Sequence, residues 1–131
     1  MGEDAKTGLL HESLTEKIIA AAIEVHRELG PGLLESTYEA CLVHEFTSRG
    51  LSVARQVELP VDYKGVRVAC GYRMDLVVEG RVVIEIKCVE KMLAIHEAQL
   101  LTYLRLSGIR VGLLINFNVK VLTNGITRRI V

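Results

Sequence analysis

Tryptophan is absent from this 131-residue sequence, and aromatic residues make up only 5% of it. That leaves little for stacking bases and argues against a dedicated single-strand nucleic-acid binder. Two prolines and 11 glycines are too few for a linker-dominated or low-complexity chain. The three cysteines, Cys41, Cys70 and Cys88, are odd in number and contain no Cys-x-x-Cys pair. A disulfide framework and a thiolate zinc site are therefore not indicated, and the cysteines are expected as small buried hydrophobes. No stretch approaches the ~20 uninterrupted apolar residues of a bilayer-spanning helix. No signal-peptide core follows Met1 to Lys6. A soluble, cytoplasmic protein without a membrane partner is the expectation. An excess of one charge is missing too: 16 basic residues balance 16 acidic ones. The halves differ, however, with four basic and nine acidic side chains in residues 1–50 and 12 against seven in 51–131. The second half could face a polyanion, although nothing forces it to.

What is present is 50% hydrophobic residues and 24% charged ones, enough to fill a single core at this length and to exclude intrinsic disorder. Residues 1–12 read as a flexible N-terminal tail and 13–131 as one domain. Ser13-Leu14-Thr15-Glu16 has the form of a capping box. Leu14, Ile18, Ala21, Ala22, Val25 and Leu29 then follow helical spacing up to Gly30-Pro31-Gly32. A second helix is expected from about Glu35 to Arg49, with Tyr38, Leu42 and Phe46 on one stripe and Gly50 as its stop. The period then shortens: Leu51 to Tyr63, Val66 to Cys70, Arg73 to Val78 and Val82 to Val89 read as strands. Ala94 to Leu106 reads as a helix closed by Gly108, and Arg110 to Phe117 as a buried strand. Val119 to Leu122 and Ile126 to Ile130 form an expected hairpin about Asn124-Gly125. This order predicts an α/β sheet, antiparallel at first, with a helix crossing over to a later strand.

Val82-Val83-Ile84-Glu85-Ile86-Lys87-Cys88-Val89 is apolar at both parities, as in a strand covered on both faces, yet Glu85 and Lys87 interrupt it on one face. Burying two ions there costs several kcal/mol each unless they pair, hydrogen-bond or hold a metal. The bland alternative is a solvated Glu and Lys on an amphipathic strand. Asp75 lies in the preceding apolar strand, and register decides whether it meets Glu85. A two-residue Glu79-Gly80 loop sends the carboxylates to opposite faces; a three-residue loop with Gly80 in the left-handed region puts them on the same face. We take the odd-numbered loop. Two carboxylates on one face with a lysine nearby make a hard-oxygen site suited to Mg²⁺ or Mn²⁺. Gln99 and Tyr103 stand four apart on the next helix and project from one face, which His96 could share. Each alone reads as ordinary surface polarity, core aromatic or structural histidine. Glu35 opens the second helix, where its charge suits the positive end of the dipole.

Asp75, then Glu85-x-Lys87 on the next strand, then Gln99-x-x-x-Tyr103 on the following helix resemble the PD-(D/E)XK nuclease superfamily, in the branch that includes RecB-type exonuclease domains. More narrowly, Gly32-Leu33-Leu34-Glu35-Ser36-Thr37-Tyr38 is similar to the motif that names the GxxExxY family. Residues 26–32 and 96–103 are similar to that family as well, and the likeness runs from about Leu14 to Val131. Met74 stands where the superfamily's name has proline.

The resemblance implies an α/β, restriction-endonuclease-like core: an αβββαβ mixed sheet flanked by helices. It implies one or two Mg²⁺ (or Mn²⁺) ions held by Asp75 and Glu85, with the Ile86 carbonyl as a backbone ligand. Glu35 would bind metal through water or orient the nucleophile. Lys87 would orient or deprotonate the attacking water, or stabilise the transition state directly. Gln99 and Tyr103 would position the substrate backbone or brace the site. The implied reaction is phosphodiester hydrolysis of nucleic acid, with DNA preferred by analogy, and Arg73, Lys91 and Arg105 are candidate phosphate contacts. The competing possibility is a nuclease-fold module that no longer cleaves and binds nucleic acid or an unidentified protein partner, with a homodimer compatible with either.

Overall fold

Helices α1 (Glu12–Leu29) and α2 (Glu35–Ser48) lead into strands β1 (Val53–Glu58), β2 (Val61–Tyr63), β3 (Val66–Val68), β4 (Arg73–Val78) and β5 (Val82–Lys87). Helix α3 (Ala94–Ser107) and strands β6 (Val111–Asn116) and β7 (Ile126–Ile130) complete the chain. This computed structural model describes residues 10–131. The expected tail therefore lies outside the described residues as far as residue 9. Its last part is not a tail: Leu10 is buried in the core, its carbonyl accepts from the Arg128 guanidinium, and Glu12 opens α1.

The apolar spacing of α1 buries Leu14, Ile18, Ala21, Ala22 and Val25, and Gly30, with φ of 70°, ends the helix while its N–H donates to the His26 carbonyl. The expected capping box does not form. The core contact of Leu10 draws the helix start forward, His11 becomes the N-cap residue, and Ser13 falls inside the first turn. The second helix begins at Glu35 as expected and ends with Ser48, one residue short of the expected Arg49.

The sheet order is β1-β4-β5-β6-β7, antiparallel except for the β5–β6 pair, which α3 connects as a parallel crossover. Helices α1 and α2 cover one face through Tyr38, Leu42, Phe46, Leu76, Ile84, Leu113 and their neighbours. Helix α3 covers the other, with Leu100 and Leu104 over Val77, Val83 and Leu114. This is the mixed, helix-flanked α/β sheet expected. Gly112 lets α3 sit close. A Cβ there would lie 2.7 Å from Leu100 Cδ1 and 3.2 Å from Leu104 Cδ1.

Several segments differ from expectation, as do the cysteines. The run from Leu51 to Tyr63 breaks at Leu59-Pro60 because Leu59 turns inward and donates its N–H to the Tyr72 carbonyl, while Pro60 has no N–H to offer a ladder. Strands β2 and β3 consequently form a separate hairpin. Strand β5 stops at Lys87, and the Asn116 side chain takes over the next backbone groups, accepting from Val89 N–H at 3.1 Å and donating to Val89 C=O at 2.9 Å. The hairpin about Asn124-Gly125 is replaced by a 3₁₀ turn, Leu122–Gly125, and Ile126–Ile130 pairs with β6 instead. The open edge of β6 offers a longer ladder than residues 119–122, and a Cβ at Gly125 would lie 2.3 Å from the Asn116 carbonyl, so the chain turns back tightly there. Finally, Cys70 is exposed and Cys41 and Cys88 are only partly buried, not enclosed as core residues.

Candidate active site

The register that matters is that of β4 with β5. Val78 pairs with Val82, Val77 with Val83 and Leu76 with Ile84 across a three-residue loop, in which Glu79 and Gly80 take φ of 54° and 65°. The odd loop therefore sets Asp75 opposite Glu85 on one face. Beyond Leu76–Ile84 the carboxylates take over from the backbone ladder. The Asp75 N–H donates to Glu85 Oε2 at 2.8 Å, and the Ile86 N–H donates to Asp75 Oδ2 at 2.8 Å. The peptide groups of Lys87 turn to the other edge, where its carbonyl accepts from Phe117 N–H. In a strand the N–H and C=O of one residue point to the same edge, so the Ile86 carbonyl also points into the gap between β4 and β5.

Glu85 is only 4% exposed. Burial, and then the facing Asp75 carboxylate, push its pKa up to about 8 from an ordinary 4.5. Burial also raises the Asp75 pKa, against the hydrogen bond from Ile86, and the nearby Glu39 and Glu35 charges add to the rise. Lys87, half-buried two residues along from Glu85, opposes the rise at both carboxylates. The pair thus has an unmet demand for positive charge, in the form of a proton or a cation. One oxygen of each carboxylate is held by a backbone N–H, which leaves the other for a ligand.

Helix α2 presents Glu35 over this gap. Glu35 is exposed, and its charge is felt by Asp75, Glu85 and Cys88. Its placement depends on Tyr38, three residues on, whose hydroxyl donates to the Gly30 carbonyl at 2.5 Å and accepts from Leu33 N–H at 3.3 Å. The Tyr38 ring stacks on Phe117 with centroids 4.4 Å apart. Gly32, at φ of 96°, supplies the bend between α1 and α2. The spacing Gly32-x-x-Glu35-x-x-Tyr38 is in physical terms a bend, an acid and the anchor that fixes the acid.

Two residues of the site escaped the sequence reading. Glu39 and Gln56 line a cleft of about 360 Å³ with Glu35, Ser36, Asp75 and Ile86. Glu39 accepts from Gln56 Nε2 at 2.6 Å and from the Arg55 guanidinium at 3.2 and 3.3 Å, which ties α2 to β1 beside Asp75. Gln56 holds φ of 47°, a conformation costing a non-glycine residue ~1–2 kcal/mol. Glu39 stands one helical turn after Glu35, the only hint available in the sequence.

From α3, Gln99 Nε2 donates to the Tyr103 hydroxyl at 3.0 Å. Burial raises the Tyr103 pKa, and the Glu85 and Asp75 charges raise it further, so this pair borders the carboxylates. His96 shares that side of the helix and accepts from Leu93 N–H through Nδ1. Arg73 is exposed at the start of β4 and shares a neighbouring cleft with Arg67. Lys91 is exposed in the β5–α3 connection. Arg105 lies two residues beyond Tyr103, roughly 200° around the helix, and points away from the Gln99–Tyr103 stripe. Among the described residues, no three His, Cys, Asp or Glu side chains gather as a metal-binding set. Asp75 and Glu85 meet; Glu35 stands near them without joining them. The fit to a hard cation rests on these two carboxylates together with the Ile86 carbonyl, all oxygen donors.

The sequence model described as PD-(D/E)XK nuclease superfamily matches residues 12–129, a span that contains every residue of this site. No curated protein and no solved structure matches the chain. No helix among the described residues is long and apolar enough to cross a membrane.

Proposed function

This chain belongs to the PD-(D/E)XK nuclease superfamily, and we propose that it hydrolyses phosphodiester bonds in nucleic acid, DNA by preference, using Mg²⁺ or Mn²⁺ held by Asp75, Glu85 and the Ile86 carbonyl. The observation that carries the proposal is the facing of Asp75 and Glu85 in the β4–β5 gap, where Glu85 is buried, Asp75 is half-buried, and each carboxylate gives only one oxygen to a backbone N–H. Such an ion supplies a bound water of lowered pKa and offsets charge growing on the phosphate oxygens. Glu35 orients water at the mouth of the gap, and Lys87 balances the two carboxylates and orients the attacking water or meets the developing negative charge. Gln99 and Tyr103 brace the substrate side. Arg73, Lys91 and, from the side of α3 opposite Gln99 and Tyr103, Arg105 are exposed basic side chains that contact phosphates.

Within the superfamily we assign the chain to the GxxExxY group and the RecB-type branch. The Gly32–Glu35–Tyr38 geometry and the Gln99–Tyr103 hydrogen bond support this. Three free cysteines suit a reducing compartment, and we assign the protein to the cytoplasm.

Mg²⁺ or Mn²⁺ titration of the wild type and Glu85→Ala, alongside cleavage of linear, circular and single-stranded DNA and of RNA, tests the proposal. Metal binding and cleavage lost together in the variant support it. Cleavage that survives Glu85→Ala rejects the site, and metal binding without cleavage of any substrate favours a non-cleaving binding module.

A further inference from the structure

A second cleft, of about 620 Å³, runs between α3 and the β2–β3 hairpin, and its chemistry is unlike that of the carboxylate gap. Its walls include Tyr72, Tyr103, Ile95 and Leu106, with His96, Gln99 and Thr102 as its polar groups, and none of its lining residues is an acid, a lysine or an arginine. Tyr72 is 47% exposed, and its ring lies 6.2 Å from that of Tyr103, tilted by 54°. Its backbone is fixed by the hydrogen bond from Leu59 N–H to its carbonyl. The cleft continues into the candidate active site, because Gln99 and Tyr103 belong to both.

We propose that this cleft holds unpaired nucleobases next to the phosphate being cut, which makes the preferred substrate a single strand or a frayed end. A phosphate backbone needs cations, and the cleft has none; flat, weakly polar bases need aromatic and aliphatic faces with a few hydrogen-bonding groups at the edge. His96 meets that need: its Nδ1 is occupied as an acceptor, so Nε2 is left as a donor. Gln99 and Thr102 add amide and hydroxyl groups. Aromatic residues are scarce in this protein, yet of its four tyrosines Tyr72 and Tyr103 line this cleft and Tyr63 is exposed on the adjoining hairpin. A continuous duplex keeps its bases stacked and offers no free face to these rings.

The proposal rests on the nuclease assignment, and its test separates the two. Fluorescence anisotropy of the full chain in EDTA, with a labelled 12-nucleotide strand, the same strand bearing abasic sites, and the corresponding blunt duplex, reads binding without cleavage. Tyr72→Ala is expected to weaken single-strand binding about ten-fold, Tyr72→Phe to restore it, and duplex binding to stay within about two-fold. The abasic strand should bind the wild type about as weakly as the intact strand binds Tyr72→Ala. Equal losses on strand and duplex, or an abasic strand that binds like the intact one, overturn the proposal. So does a concentration-dependent dimer that Tyr72→Ala dissociates while strand binding is unchanged, since that assigns the cleft to a second copy. Base-dependent binding by a wild type that cleaves nothing defeats the nuclease assignment and keeps the cleft; cleavage unaffected by Tyr72→Ala, with unchanged strand affinity, does the reverse.

Discussion

The two ends of strand β5 differ sharply although they are a few residues apart. From Val82 to Ile84 every side chain is apolar and buried, and each residue pairs with β4 across a regular ladder. From Glu85 to Lys87 the strand carries two charges, and carboxylate oxygens rather than carbonyls meet the backbone N–H groups of Asp75 and Ile86. The first half supplies rigidity and needs nothing from outside the protein. The second holds a costly arrangement that a cation or proton relieves, and it persists because the first half fixes the register.

The sharpest way to test that division is to alter each half separately. Glu85→Gln should reduce cleavage by ~10²-fold or more, since outer partners of metal ligands alone cost about 10–100-fold, while leaving the urea-unfolding midpoint at neutral pH no lower than that of the wild type. A large loss of stability would show that Glu85 supports the fold as well. Ile84→Ala, in the other half, should cost about 2–5 kcal/mol by the same denaturation measurement. Its remaining activity should follow the folded fraction. A stable variant with impaired turnover would erase the distinction between the halves.

The pH dependence comes next in size. Glu85 binds its proton more tightly folded than unfolded, so between 4.5 and about 8 the native state holds more protons and its stability falls as pH rises. The melting temperature of the metal-free protein should therefore drop across that window, and Glu85→Gln should flatten the drop. Added Mg²⁺ should restore stability most at the alkaline end, where it no longer competes with the proton. Calorimetry that finds no such slope would remove the electrostatic strain assigned to this half. The smallest effect expected is that of Tyr38→Phe, which loses the hydroxyl's contacts with Gly30 and Leu33 at a cost of ~1 kcal/mol in denaturant unfolding. Because Glu35 depends on that anchor, turnover should fall further than the folded fraction does.

The apolar half of β5 and the charged half were both legible in the sequence, because period-two patterning and loop parity are local and discrete. Only an odd loop brings Asp75 and Glu85 to one face, and the Val78–Val82 pairing has that parity. The helical stripe of α3 and its Gly108 stop were equally plain, since spacing and a left-handed cap are properties of a short segment. Glu39 and Gln56 were not legible. Their roles depend on how α2 crosses β1, and the positive φ of a glutamine leaves no mark in composition. The β7 partner failed for a related reason: Asn124-Gly125 announces a turn but does not say which strand lies beyond it. Ser13 carried a valid cap pattern that lost to the burial of Leu10.

Gly112 sits on the strand beside β5, opposite Val83, beneath Leu100 and Leu104. Its missing methyl group sets the height at which α3 rests on the sheet, and so the height at which Gln99 and Tyr103 hang above the carboxylates. A residue with no chemistry of its own thereby acts as the shim that sets the working clearance of the site.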